Sequence, residues 1–189
     1  MIRKILIVSD SHGQSQNVKT AIDRECPDML IHLGDIEDES EKVRRWLDET
    51  AEKHNKKSGT EDRISLPVPA VFIQGNCDRY GDQNGLKKTS VFSLNGHKFF
   101  CSHGHIQGVN MNLTNLMYTA LENGCDVAMY GHTHVPFDDS FGEEKETQVR
   151  ILNPGSISLP RGGRGKSYMV MTFSGTEDES SYEVELKTL

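Results

Sequence analysis

The sequence predicts an α/β sandwich with a mixed sheet, and two observations carry that expectation. Apolar runs alternate with helical stripes as βαβα through the first half of the chain, then give way to hairpins. Strand after strand also stops at a cluster of Asp, Asn, His and Gly, as expected where the loops of an α/β sheet converge on one rim. The 189 residues are enough for a hydrophobic core without disulfides. Neither a repeat nor a linker divides them, so 1–189 reads as one domain.

Residues 5–8 are a short apolar run that ends at Ser-Asp-Ser-His-Gly, a buried strand followed by a turn. Val18, Ala21, Ile22 and Cys26 recur at helical spacing, and Pro27 closes that helix. Residues 29–33 form a second strand, stopping at Gly34 and Asp35. Ser40 is placed to cap a second helix with the buried stripe Val43, Trp46, Leu47 and Ala51. The charged stretch 52–65 reads as a mobile surface loop. A third strand, 68–73, runs into Gly-Asn-Cys-Asp. Runs 91–94 and 98–101 flank Asn95-Gly96, a two-residue hairpin signal, and the second arm ends at Ser-His-Gly-His. Leu113, Leu116, Met117, Ala120 and Leu121 share one face of a third helix that stops at Gly124. Residues 127–130 lead into Gly-His-Thr-His, and 148–152 into Asn-Pro-Gly-Ser. Strands over 168–173 and 182–186 complete the pattern.

Charge and composition narrow the function. The chain has 21 Lys and Arg against 28 Asp and Glu, a formal charge of -7. Duplex nucleic acid is a poor partner for such a surface. Small anionic substrates remain open, provided local positive charge offsets the field. No run approaches the ~20 apolar residues of a membrane span, and the apolar start of the chain is too short for a signal peptide. The expectation is a cytoplasmic protein away from membranes. Cys26, Cys77, Cys101 and Cys125 form no CxxC pair and read as reduced thiols.

The strand ends carry the chemistry. They offer Asp10 and His12, then Asp35, Asn76, His103, and finally His132 and His134, with Gly13, Gly34, Gly75, Gly104 and Gly131 beside them. Taken singly, each is an ordinary turn or cap residue. Seven such residues, each directly after an apolar run, read together as metal ligands. If strand geometry persists, the pairs Asp10/His12 and His132/His134 each point to one side. Imidazole with carboxylate and one amide oxygen suits manganese, iron, zinc or nickel better than calcium or magnesium. Seven ligands exceed what one ion takes from protein, so two ions sharing a carboxylate, about 3.5–4 Å apart, are expected.

The order D-x-H, G-D, G-N-x-D, H-G-H and G-H-T-H resembles the calcineurin-like metallophosphoesterases. The small size, GNCD and NPGS resemble the compact YfcE-like phosphodiesterase branch of that family. The resemblance spans about residues 2–173. It implies a four-layer α/β/β/α sandwich with mixed sheets and a dinuclear centre. Asp10, His12 and His134 would hold one metal; Asn76, His103 and His132 would hold the other; Asp35 would bridge them. The implied cofactor is a pair of divalent transition-metal ions, manganese first, with nickel, iron, zinc or cobalt as alternatives. A homodimer or homotetramer is expected by the same analogy.

The expected reaction is hydrolysis of a small phosphodiester by a hydroxide bridging the two metals, with no protein nucleophile. Many relatives carry a proton-donating His in the third block, where this chain has Cys77. A thiol is a poor substitute at neutral pH, so esters with acidic leaving groups are favoured unless His105 or Asp78 donates instead. Arg79, Arg161 and Arg164 are the candidate phosphate-binding cations. The segment around Arg161 is not a P-loop, because Pro160 replaces its first glycine and a strand follows. Two other readings use the same scaffold. One is a non-catalytic interaction module resembling a retromer subunit. The other is a nucleotide phosphatase or nuclease.

Overall fold

The computed structural model describes residues 2–58, 63–78, 86–142, 148–176 and 180–189. Two five-stranded mixed sheets pack face to face. The first has the strand order β10-β9-β1-β2-β3, formed by β1 (Lys4–Val8), β2 (Met29–His32), β3 (Ala70–Phe72), β9 (Ser167–Gly175) and β10 (Ser180–Thr188). The second has the order β4-β5-β6-β8-β7, formed by β4 (Thr89–Leu94), β5 (His97–Ser102), β6 (Val127–Met129), β7 (Pro136–Phe141) and β8 (Val149–Pro154). Helices α1 (Ser15–Glu25) and α2 (Ser40–Lys57) cover the first sheet, and α3 (Thr114–Glu122) covers the second.

The period-two alternation of the strands divides the core among the layers. On β1, Leu6 and Val8 face Val18, Ile22, Val43 and Leu47 of the helices, while Ile5 and Ile7 face Phe99, Val127 and Met129 of the other sheet. Phe100, Ala128 and Ile151 turn outward onto Leu116 and Ala120 of α3. Every middle strand is therefore buried on both faces, which is why these runs are continuously apolar. The result is the expected α/β/β/α order.

Topology sets the position of the polar rim. Strands β1, β2 and β3 are mutually parallel, as are β5, β6 and β8. Parallel neighbours end on the same side, so each sheet sends three loops to one edge.

Three expectations need correction. Residues 52–57 continue α2 instead of opening a loop, because Glu52, Lys53, Lys56 and Lys57 are good helix formers on a solvated face. Asn55 then exchanges two 2.8 Å hydrogen bonds with Ile64, whose side chain is buried, and Asp48 accepts from the Val68 N–H, so 63–68 is tied down. Ser40 is the first helical residue, not the cap; Glu39 precedes the helix with extended backbone. Strand β7 has no counterpart in the sequence reading, because Asp138 and Asp139 interrupt its apolar pattern. It is an edge strand that begins at a proline and packs through Phe137 and Phe141, a position where proline is tolerated. No helix is long and apolar enough to cross a membrane among the described residues.

Candidate metal centre

The loops after β1, β2, β3, β5 and β6 bring all seven predicted residues to one rim. Pleated geometry does not persist there, contrary to expectation. Asp10, His12, Asp35, His132 and His134 all have positive φ, between 43° and 67°. Non-glycine residues rarely adopt this conformation, and each costs on the order of 1–3 kcal/mol. For Asp10, His12 and Asp35 the strain is held by a backbone zipper between two loops: Asp10 N–H donates to Gly34, His12 N–H to Asp35 and Gly13 N–H to Ile36, at 2.9–3.0 Å. The i, i+2 pairs thus converge through left-handed kinks. Close approach also requires Gly75 and Gly131. A Cβ at Gly75 would fall on Asp35 Oδ1, and one at Gly131 on Ser9 Oγ.

Three imidazoles are fixed in one sense. His12 Nδ1 is 2.5 Å from the Glu37 carboxylate, His103 Nδ1 is 2.7 Å from the Leu33 carbonyl, and His134 Nδ1 is 2.6 Å from the Leu159 carbonyl. Each Nδ1–H donates to oxygen, which leaves a lone pair on Nε2. Those Nε2 atoms converge on the carboxylates. His134 lies 3.2 Å from Asp10 Oδ1, His103 lies 3.4 Å from Asp35 Oδ2 and 3.2 Å from Asn76 Oδ1, and His12 lies 3.8 Å from Asp35 Oδ2. The other oxygen of each carboxylate is occupied: Asp10 Oδ2 accepts from His132 N–H and Asp35 Oδ1 from Cys77 N–H.

This donor set fits a cation. Asp10 Oδ1 is buried without a hydrogen-bond donor, and a His134 protonated at Nδ1 alone presents it only a lone pair. His12 Nε2 and His134 Nε2 face each other at 3.3 Å, again lone pair to lone pair. A positive charge between these atoms resolves both conflicts. Asp10, His12 and His134 form one compact group of candidate ligands, and Asp10, Asp35 and His103 a second.

Proton affinities follow the same charges. Burial pushes the His103 ring down, but Asp35 and Asp10 more than offset this and the net shift is upward. His134 behaves alike through Asp10. Burial raises the Asp35 carboxyl, yet His103 and the Cys77 amide outweigh it and hold it far below the carboxylate range. Burial and then Asp35 push the Cys77 thiol up to about 11. Burial, then His103, lowers both His105 and His132.

The remaining predicted residues are less uniform. His132 stands at the edge of the cluster, its ring 5.1 Å from that of His103 and its Nε2 2.8 Å from the Asn110 amide. His105 lies 5.4 Å from His103, with its buried Nδ1 unpartnered. Asp78 is buried, and its oxygens accept from Glu37 N–H and Gly75 N–H, so it braces the loops. Arg161 N–H donates to the His134 carbonyl, placing that arginine beside the site, and Arg164 lies in the same exposed turn. Arg79 lies outside the described residues.

Four supporting residues escaped sequence reasoning. Glu37 orients His12, and Asn110 contacts His132. Asn153 donates to the Gly131 carbonyl, and Ser156 donates to the Asp10 carbonyl. The last two belong to the NPGS block, whose position after a strand was the available signal.

Residues 4–176 match the calcineurin-like phosphoesterase superfamily domain. The chain is 31% identical over 189 residues to the probable metallophosphoesterase YsnB of Bacillus subtilis, covering 96% of this chain and 94% of the relative. It is 29% identical to the phosphodiesterase YfcE of Escherichia coli K12, covering 87% and 85%. Among solved structures, a predicted phosphoesterase from Streptococcus pneumoniae superposes with a TM-score of 0.67 at 28% identity, covering 98% and 99%. Zinc-complexed Vps29 of Entamoeba histolytica shares the fold, with a TM-score of 0.62 at 17% identity, covering 97% and 98%. Fold, rim and sequence agree, and the chain belongs to the calcineurin-like phosphoesterase superfamily.

Proposed function

We propose that this protein is a divalent-metal-dependent phosphodiesterase with a dinuclear centre. One observation carries the reading: three imidazoles pinned at Nδ1 aim their Nε2 lone pairs at two buried carboxylates. Nothing but a proton or a metal cation accommodates that arrangement. Asp10, His12 and His134 would hold one ion, Asn76, His103 and His132 the other, and Asp35 both. When bound, such ions acidify a shared water and neutralise phosphate oxygens.

The chain's own residues then orient and restrict. Cys77 N–H and His132 N–H fix the two carboxylates by occupying their outer oxygens. Arg161, beside His134, supplies positive charge for a phosphate in an otherwise acidic protein. The Cys77 thiol, pushed up to about 11, is a weaker general acid than an imidazolium would be at neutral pH. His105 is the remaining proton donor near the cluster, and its lowered affinity leaves it mostly neutral at pH 7. Esters with acidic leaving groups are therefore the favoured substrates. The phosphodiesterase named among the relatives supports a hydrolase of this class.

The test is an aryl phosphodiester assay with manganese, nickel or cobalt, with Asn76→Ala as control. Hydrolysis that is lost in the variant supports the reading. Metal uptake with no turnover of any phosphodiester would favour an interaction module. Retained activity in Asn76→Ala would remove that ligand from the set.

A further inference from the structure

One histidine of the cluster is held the opposite way from the others. His12, His103 and His134 are engaged at Nδ1 by oxygen acceptors. His132 is engaged at Nε2, 2.8 Å from the Asn110 amide nitrogen Nδ2, a position that the amide oxygen fills equally well after a half-turn. Asn110 stands on the loop after β5, which is closed by Val109 N–H donating to Gly104 and Met111 N–H donating to Gly108. With Nε2 taken, Nδ1 is the ring nitrogen His132 has left to offer.

A primary amide can meet Nε2 in either sense. Nitrogen forward, it donates to an Nε2 lone pair, and Nδ1 carries the proton. Turned half a revolution about the same position, its oxygen accepts from Nε2–H, and Nδ1 keeps its lone pair. Only the second arrangement leaves His132 able to bind a cation.

We infer that Asn110 is a positioning residue for the metal centre: its side-chain carbonyl accepts the His132 Nε2–H, so that His132 presents Nδ1 where the other three histidines present Nε2. This rests on the metal-dependent reading above. It also ties the loop that carries His105 to the cation-binding cluster.

Loss of an outer hydrogen-bond partner typically lowers metal affinity about 10–100-fold. Asn110→Ala should therefore weaken one of two Zn²⁺-binding steps by about that factor and leave the other, at Asp10, His12 and His134, unchanged. Asn110→Asp keeps an acceptor and should retain both steps. The measurements are calorimetric Zn²⁺ titration against a competing chelator, and long-range ¹H–¹⁵N correlation of the histidine rings in the zinc-loaded unmodified protein. The expected spectrum shows His132 with its proton on Nε2. A His132 proton on Nδ1, or an Asn110→Ala protein binding both ions as tightly as the parent, would overturn the inference. If Asn110→Ala does not fold, the ring spectrum of the unmodified protein decides. Failure of the metal reading looks different: the unmodified protein itself takes up no Zn²⁺, and the inference falls with it.

Discussion

Asp10→Asn separates the intrinsic stability of the cluster from its cation-binding role. In the metal-free protein, Asp10 Oδ1 is buried without a donor, 3.2 Å from the His134 lone pair. The asparagine keeps an oxygen toward His132 N–H and places an amide nitrogen where Oδ1 stood. An unmet acceptor becomes a donor facing a lone pair. Relieving one buried unsatisfied group is worth about 1–3 kcal/mol. For a domain of this size that is roughly 2–12 °C in Tm. The comparison belongs in chelator at pH 9, where imidazole protonation is weakest. His134 and His103 have raised proton affinities, so their pairing with carboxylates adds stability at low pH, fully present below about 6.5 and lost as pH rises through the folded value. The gain from Asp10→Asn should therefore shrink or reverse at pH 6. Added Mn²⁺ at pH 7.5, about 1,000-fold above its Kd, should stabilise the parent by roughly 4 kcal/mol and the variant far less. Scanning calorimetry in both buffers reads all three effects. A variant less stable than the parent at pH 9, or one that Mn²⁺ stabilises equally, would refute the reasoning.

Other outcomes follow from the same geometry. Cys77→His should raise turnover of an alkyl phosphodiester by about 10²–10⁴-fold at neutral pH, with little change for an aryl ester; an unchanged alkyl rate in steady-state assays would show that no acid is missing there. Arg161→Ala should raise KM for the diester no more than about tenfold, given its exposure, with kcat nearly unchanged. A fall in kcat alone would mean that Arg161 acts only on the transition state. Gly131→Ala drives a Cβ into Ser9 Oγ and to 2.9 Å from Asp10 Oδ2. It should cost about 1–3 kcal/mol on thermal unfolding and lower metal content by elemental analysis, whereas normal content and stability would mean that the loops yield freely.

Much of the architecture was legible because it rests on local rules. Asn95 and Gly96 both have positive φ, 50° and 79°, as the Asn-Gly hairpin signal requires. The double burial of β1 and β2 is written in uninterrupted apolar runs. Strand β7 was hidden because an exposed edge tolerates Asp138 and Asp139. The extra turns of α2 were hidden because a solvated helical face carries no apolar period. At the site, ligand identities were readable as polar residues placed after strands. Their left-handed backbone was not, since bonds between loops distant in sequence accompany it: the zipper joins Asp10 and His12 to the β2 loop, His132 N–H meets Asp10, and Arg161 N–H meets the His134 carbonyl. Glu37 and Asn110 were invisible for a further reason. Their partners, His12 and His132, lie 25 and 22 residues away in sequence, and no local pattern encodes such a contact. The bracing role of Asp78 was hidden for the same reason, since one of its two backbone donors, Glu37 N–H, lies 41 residues away.

The central claim is that seven side chains from five loops share two cations. Anomalous diffraction at the manganese edge from crystals grown with Mn²⁺ tests it most directly. The account predicts two peaks about 3.5–4 Å apart, with Asp35 between them. A single peak, or a pair of peaks away from Asp10, Asp35 and His103, would contradict it.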